Sequence, residues 1–265
     1  MKTWLIGSDL DGTLIYPDNS PEVNLGTKAF NLIIQKHRES HTLAYVTGRH
    51  LERAKEGVKE AGLIEPDFYI CDVGTTIYEQ NVLTGAFSLD QVYRDQLTKS
   101  WQETTKDKLI DWLQNFPFLT LQEDNRQGEF KLCYYVSSDI ERESFENSVI
   151  KQITEEFKLQ AIYSTDPNNN IGYLDILPKG ASKESALNFL AQKTNISKDR
   201  IVYAGDSGND LAVCKAGIKF IIPQKASEEV NSFFLSPENS SCIYYKVTEP
   251  FCFGLLEGLR YFKVF

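Results

Sequence analysis

The sequence predicts an α/β protein: a parallel sheet dressed with helices, with a second α/β segment inserted into it. Three observations carry that reading. At both ends of the chain, short β-rich runs alternate with helical patterns, which is how a parallel sheet of βα units reads. Between about residues 75 and 173 the alternation lapses into long helical segments flanked by strands. With 265 residues, 42% apolar and 25% charged, the chain can bury one sizeable core and a smaller second one.

In order, residues 3–8 read as the first strand, followed by a loop and a helix over 25–39. Residues 42–46 form the next strand and 51–61 the next helix, closed by Gly62, before a third strand at Phe68–Cys71. The middle offers helical segments at 89–116 and 139–157, with strands at 130–136 and 159–163. In the second of these helices Phe145, Val149, Ile153 and Phe157 recur every four residues, a stripe that must pack on neighbouring strands. Ser138 followed three residues later by Glu141 offers a capping box for its start. Residues 166–172 (DPNNNIG) read as a turn between strands. The alternation resumes with a helix over 183–192, a strand at Ile201–Ala204, a helix over 210–216, a strand at Lys219–Ile222 and a last helix. The expected division is a core of residues 1–78 and 174–265 and an insertion of residues 79–173.

Composition removes several classes of function. Lys and Arg total 28 against 37 Asp and Glu, giving a net charge of −9, so a basic footprint for nucleic acid is missing. No apolar run approaches the ~18 residues of a membrane span, and the N-terminal apolar stretch ends at Asp9, too short for a signal peptide. The five cysteines are scattered and form no C-x-x-C pair, so they read as reduced core residues. The expectation is a cytoplasmic protein with neither nucleic-acid nor membrane partners.

The chemistry concentrates at strand ends. Asp9 and Asp11 stand where the first strand runs out, and in extended chain residues i and i+2 point to the same side. Gly12 permits a sharp turn after them. The strand Ile201–Ala204 empties into a second acidic loop, Gly205, Asp206, Ser207, Gly208, Asn209 and Asp210. In a parallel sheet the C-terminal strand ends share one edge, so the two loops can meet. Four carboxylates in one pocket repel unless a cation is present, and an all-oxygen set without Cys or His favours a hard ion, Mg²⁺ first. The second strand ends in Thr47, Gly48 and Arg49, where a hydroxyl and backbone N–H groups at a helix start suit a phosphate oxygen. Lys183 opens a helix and could neutralise a phosphoryl group from another side.

This ordered set resembles the phosphatase branch of the haloacid dehalogenase superfamily, whose four motifs match Asp9-x-Asp11-Gly12-Thr13, Thr47, Lys183, and Gly205-Asp206-x-x-Asn209-Asp210. The resemblance implies a Rossmann-like core. It implies Asp9 as nucleophile forming an aspartyl-phosphate, Asp11 as general acid and then base, and Thr47 and Lys183 as further catalytic groups. Mg²⁺ would be held by Asp9, the Asp11 backbone carbonyl and Asp206, with Asp210 in the same acidic set and Asn209 arranging it. The interval from Asp9 to Thr47 has room for one crossover helix only. The insertion between Thr47 and Lys183 therefore implies the second type of cap, an α/β domain that selects the substrate.

Several stretches resemble the sucrose-phosphate phosphatase family more narrowly: AYVTGR ending at Arg49, DVGTTIY from Asp72, QGEFK over residues 127–131, LDILP from Leu174 and GDSGND from Gly205. By that resemblance Thr47, Gly48, Arg49, Lys183 and Asn209 contact the phosphate side. Gly74 and Thr75 line the sugar pocket, and Gln127 and Lys131 of the cap contact sugar or phosphate. The aromatics Trp101, Trp112, Tyr134 and Tyr135 read chiefly as core. The expected activity is Mg²⁺-dependent hydrolysis of sucrose 6-phosphate by a monomer, with a sugar-phosphate synthase as a partner. Two alternatives stand beside it: a phosphatase of an amino-sugar, trehalose or mannosyl-glycerate phosphate, or a silent sugar-binding or docking domain.

Overall fold

A computed structural model describes residues 2–17, 20–101, 106–166 and 171–265. In chain order the first elements are β1 (Trp4–Ser8), α1 (Pro21–His37), β2 (His41–Val46), α2 (Leu51–Glu60) and β3 (Phe68–Cys71). They continue with β4 (Thr76–Gln80), β5 (Phe87–Leu89), α3 (Gln91–Trp101) and α4 (Lys106–Leu113). Next come β6 (Leu119–Leu121), β7 (Leu132–Val136), α5 (Arg142–Phe145), α6 (Lys151–Glu155), β8 (Gln160–Asp166) and β9 (Ile171–Leu177). The chain closes with α7 (Lys183–Lys193), β10 (Ile201–Ala204), α8 (Leu211–Lys215), β11 (Lys219–Ile222), α9 (Glu228–Leu235), β12 (Tyr244–Lys246) and α10 (Phe251–Tyr261).

Residues 1–90 and 183–265 form one unit and residues 91–182 another. The first holds an eight-stranded sheet in the order β12-β11-β10-β1-β2-β3-β4-β5. From β12 to β3 every pairing is parallel, while β4 and β5 turn back antiparallel. β1, β2, β3 and β10 are buried along their whole length, as strands covered on both faces must be. Alternate residues Trp4 and Ile6, Leu43 and Tyr45, and Val202 and Ala204 face one core with Phe30 and Ile34 of α1 and Leu255, Leu256 and Leu259 of α10. Chain order reverses at β1, which has β2 on one side and β10 on the other. Such a switch point opens a crevice beyond the C-terminal strand ends, where ligands of α/β sheets sit.

Sequence boundaries shift for local reasons. Helix α1 starts at Pro21, not at 25, because the Ser20 side chain accepts from the Val23 amide and Pro21 suits the first turn. The helix expected over 210–216 begins at Leu211 behind a tight 3₁₀ turn, Gly208–Asp210. Residues 79–90, read from sequence as insertion, continue the large sheet through β4 and β5. Residues 174–177, read as core, belong to β9 in the small sheet. The division therefore falls at residues 90 and 182. Hairpin pairing overrode the motif-based boundary.

The second unit is a four-stranded antiparallel sheet, β6-β7-β9-β8, with helices on one face. Leu132, Tyr134, Val136, Leu174 and Ile176 meet Leu109, Leu113, Phe145, Val149 and Ile153 in its core. The expected stripe is thus present, with Phe157 packed at its margin. A π-helical turn, Glu146–Ile150, joins α5 to α6. An α-helix drifts about 40° with every four residues, and the wider π turn absorbs that drift so that spacing by four stays on one face. The capping box at Ser138 does not form. Glu141 is the N-cap, accepting from the amides of Glu143 and Ser144. The long segment 89–116 divides into β5, α3 and α4, and of the turn read at 166–172, residues 167–170 lie outside the described residues. Among the described residues no helix is long and apolar enough to cross a membrane.

Candidate active site

Asp9 lies one residue beyond β1, where its amide still donates to Ala204 O (2.8 Å) and so continues the pairing with β10. The chain then folds into a tight turn in which the Leu14 and Ile15 amides donate to Leu10 O. Gly12 serves that turn twice. Its φ is +73°, and a Cβ there would stand 2.3 Å from Asp206 Oδ2. The glycine lets the two acidic loops close on each other.

At that junction Lys183 Nζ, fully buried, donates to Asp9 Oδ2 and to Asp210 Oδ1, each at 2.7 Å. Asp9 Oδ1 accepts from the Leu10 amide at 2.7 Å. Asp210 Oδ1 also accepts from the Tyr203 hydroxyl (2.5 Å), and its Oδ2 accepts from the Ser207 amide (3.0 Å). Ser207 Oγ stands 3.1 Å from Asp210 Oδ2 and 3.0 Å from Asn209 Oδ1, one proton for two acceptors. Thr13 Oγ1 donates to Asp206 Oδ1 at 2.9 Å.

Charge in this cluster is unbalanced. Burial pushes the Asp9 carboxyl well above the usual carboxylate range; the Asp210 and Asp206 charges add to that and Lys183 opposes it. Burial and then the Asp210 charge push Asp206 up to about 7. Burial alone would favour a neutral amine at Lys183, but Asp210 and Asp9 outweigh it and hold the ammonium above its ordinary range. Oxygens of Asp9, Asp206 and Asp210 all lie within 4.8 Å of one another. Three carboxylates against one ammonium, all oxygen donors, fit a hard divalent cation.

The other expected residues separate into those the fold gathers here and those it does not. Thr47, 1% exposed, lies one residue beyond β2, donates its amide to Ile70 O (2.8 Å) and accepts at Oγ1 from the Arg49 amide (3.1 Å). That accepted bond leaves the hydroxyl proton as the group Thr47 can offer a ligand. Arg49 grips Asp11 with both arms, Nε to Oδ2 at 2.8 Å and Nη2 to Oδ1 at 2.5 Å. His50 caps α2. After β3 the backbone turns left-handed at three successive residues, Asp72 (φ 52°), Val73 (φ 60°) and Gly74 (φ 95°). A β-branched residue there is strained, and the turn is held because the Val73 amide donates to Thr47 O (3.1 Å) and the Asp72 amide to Arg49 O (3.0 Å). Thr75 is 1% exposed and donates its hydroxyl to Asp72 O (3.0 Å) within that turn.

Gln127 and Lys131 belong to the other unit. The Gln127 amide donates to Gln122 O (2.9 Å) and Cys133 O (3.1 Å) and accepts from the Cys133 amide (2.8 Å). Both ends of its side chain are engaged with backbone of its own unit. Lys131 is 4% exposed. Strand alternation sets it with Cys133 and Tyr135, away from the core face. Cys133 Sγ donates to Asp175 Oδ1 on the paired strand at 2.8 Å, and Tyr135 meets Tyr173 at 5.9 Å between ring centres.

Sequence reasoning missed Tyr203, Thr13 and the left-handed turn at Asp72 and Val73. Thr13 stood inside a quoted motif and could have been found. Tyr203 reads as one more apolar residue of a buried strand.

The family model described as sucrose-6F-phosphate phosphohydrolase matches residues 2–263. A putative HAD-like hydrolase of Nitrosococcus oceani is 33% identical across 97% of this chain and 71% of its own length. Sucrose-phosphatase 1 of Nicotiana tabacum is 28% identical across 98% of this chain, which spans 59% of the plant protein. The structure of the sucrose-phosphatase from Synechocystis, in complex with sucrose and phosphate, superposes with a TM-score of 0.81 at 26% identity, covering 99% of this chain and 98% of that one.

Proposed function

The chain belongs to the sucrose-6F-phosphate phosphohydrolase family, a phosphoric monoester hydrolase of the haloacid dehalogenase type, and from that premise we propose that it hydrolyses sucrose 6-phosphate through an aspartyl-phosphate on Asp9. The observation that carries the reading is the buried Asp9, held by Lys183 at the switch point of the sheet with Asp206 and Asp210 beside it.

Asp9 attacks phosphorus in line as the bond to the sugar oxygen breaks, and Asp11 gives that oxygen its proton. Water then attacks the aspartyl-phosphate, Asp11 takes the water proton, and the bond from phosphorus to Asp9 breaks. Splitting one hard displacement into two easier ones is the gain of covalent catalysis. The Lys183 ammonium opposes the burial that favours a neutral Asp9 carboxyl and faces the charge of the transferring group. The Thr47 hydroxyl and the Gly48 amide hold phosphoryl oxygens. Asp9, Asp206 and the Asp11 backbone carbonyl would hold Mg²⁺, which when bound supplies charge neutralisation at the phosphoryl group. Asp210, with four donors on its two oxygens, anchors Lys183 and the 205–210 loop around that set, and Asn209 supports it.

Substrate selection is assigned to the non-core face of the small sheet, where Lys131, Tyr135, Tyr173 and Asp175 supply the planar and charged groups that grip sugars. Sucrose 6-phosphate and fructose 6-phosphate share the reacting fructose phosphate, so preference between them reports contacts to the glucose ring. A few hydrogen bonds at about 1 kcal/mol each give tenfold or more in kcat/KM. Phosphate release from a panel of sugar phosphates with Mg²⁺ tests this. Equal use of the two fructose esters, or a preference for an amino-sugar phosphate, rejects the sucrose reading and leaves the sugar-phosphate phosphatase.

A further inference from the structure

We propose that Arg49 is a positioning residue for Asp11, seated for that task by Gly57 of α2; this rests on the acid–base reading of Asp11 given above. Asp11 is the least enclosed of the acidic residues at the site, its side chain 56% exposed. Among the described residues, Arg49 is the side chain that bonds its carboxylate, and it does so with a two-armed, charge-assisted fork. A fork fixes a planar carboxylate in orientation as well as distance, which an exposed aspartate otherwise lacks.

Arg49 is itself held on three sides. Its amide donates to Thr47 Oγ1 (3.1 Å), its carbonyl accepts from the Asp72 amide (3.0 Å), and its Nη1 donates to Arg53 O (3.1 Å) on the first turn of α2. The guanidinium lies across that helix at Gly57, where an added Cβ would stand 2.1 Å from Nη1. Glycine inside a helix is unfavourable relative to alanine, and here the seat of the guanidinium is what excludes the larger residue. Gly57 thus gives a way to move the fork without touching any reacting group: the side chain of Gly57→Ala collides with the flexible end of Arg49, not with backbone.

The sequence reading makes Arg49 a phosphate contact, and two esters separate that role from this one. The sugar of sucrose 6-phosphate departs as an alkoxide and needs a proton, whereas 4-nitrophenyl phosphate releases a stable phenolate that does not. Because Asp11 also serves the later attack of water, which is common to both esters, the comparison is read in kcat/KM, which reports the steps through departure of the leaving group. For Gly57→Ala the expected result is a kcat/KM for sucrose 6-phosphate lower by about tenfold, with kcat/KM for the nitrophenyl ester within about twofold of wild type. Arg49→Met, which deletes the fork, lowers the sugar-ester kcat/KM further, by about a hundredfold. In an Asp11→Asn background Gly57→Ala adds nothing, because residues acting through one group are not additive. An equal fall of kcat/KM for both esters makes Arg49 a phosphate ligand and overturns the inference. If Asp11→Asn alone lowers kcat/KM of both esters equally, the acid reading itself fails. If Asp11→Asn is selective and Gly57→Ala is not, only the positioning role fails.

Discussion

Lys183→Met deletes the ammonium from the buried acidic cluster while keeping side-chain length. Lys183 Nζ is fully buried and sits 2.7 Å from both Asp9 and Asp210. Removing one partner of a buried ion pair costs about 3–5 kcal/mol, because a desolvated charge is left without compensation. Here two carboxylates lose the same partner, with Asp206 nearby. The loss is limited by protonation. Burial already holds Asp9 above the usual carboxylate range, and deleting the cation that opposes this raises it further. A raised folded-state pKa means the folded variant binds more protons than the unfolded chain above about pH 4, so its stability falls as pH rises through that window. Each kcal/mol moves the melting midpoint of a chain this size by about 2–4 °C. In chelator at pH 8, Lys183→Met therefore melts roughly 10 °C below wild type, and the gap narrows toward pH 5. Adding Asp210→Asn recovers part of it. Circular-dichroism melts at the two pH values decide the matter: a midpoint within about 2 °C of wild type at pH 8, or a deficit independent of pH, refutes the electrostatic account.

Asp9→Asn keeps the volume of the side chain but removes its anionic oxygen, so phosphate release drops to background while the melt is preserved; turnover within tenfold of wild type would remove Asp9 as nucleophile. Mg²⁺ added to chelated protein at 100 times its dissociation constant stabilises the fold by about 2.7 kcal/mol, which a thermal-shift titration reads directly. Asp206→Ala abolishes that shift, and an unchanged titration argues against Asp206 as a ligand. Burial, with the His37 charge adding to it, lowers the His41 pKa below 6.5. The unfolded chain then protonates first, so this contribution is intact above about pH 6.5 and is lost as pH falls toward the folded value. Urea midpoints at pH 7.5 and 5.5 should differ less in His41→Gln than in wild type, and equal differences contradict the shift.

The motifs proposed as catalytic were legible because their backbone structure is local. Asp-x-Asp before glycine at a strand end, and Gly-Asp-Ser-Gly-Asn-Asp before a helix, carry their turns and caps within a few residues, as the Gly208–Asp210 turn and its Ser207 cap bear out. Buried strands announced themselves as apolar runs, and the Phe145 stripe predicted its own packing face. Partnerships were another matter. Lys183 and Asp9 are 174 positions apart, and the sequence offered both as catalytic without saying that one holds the other.

Three contacts at the site were invisible to any reading of neighbours along the chain: the Tyr203 hydroxyl on Asp210, the Arg49 fork on Asp11, and the Gly57 seat beneath it. Gln127 went the other way, a polar residue in a promising motif whose amide the backbone of its own unit consumes. Turn and helix-cap preferences act over a handful of residues and survive in any context that lets the backbone form. A side chain's hydrogen bonds are settled by competition among all groups the fold brings within about 3 Å, and sequence neighbours are a minority of those. The chain's own order of residues thus decided which groups could do chemistry and on which strand ends they stand. Packing decided which carboxylate is shielded, which is gripped and which donor each one keeps.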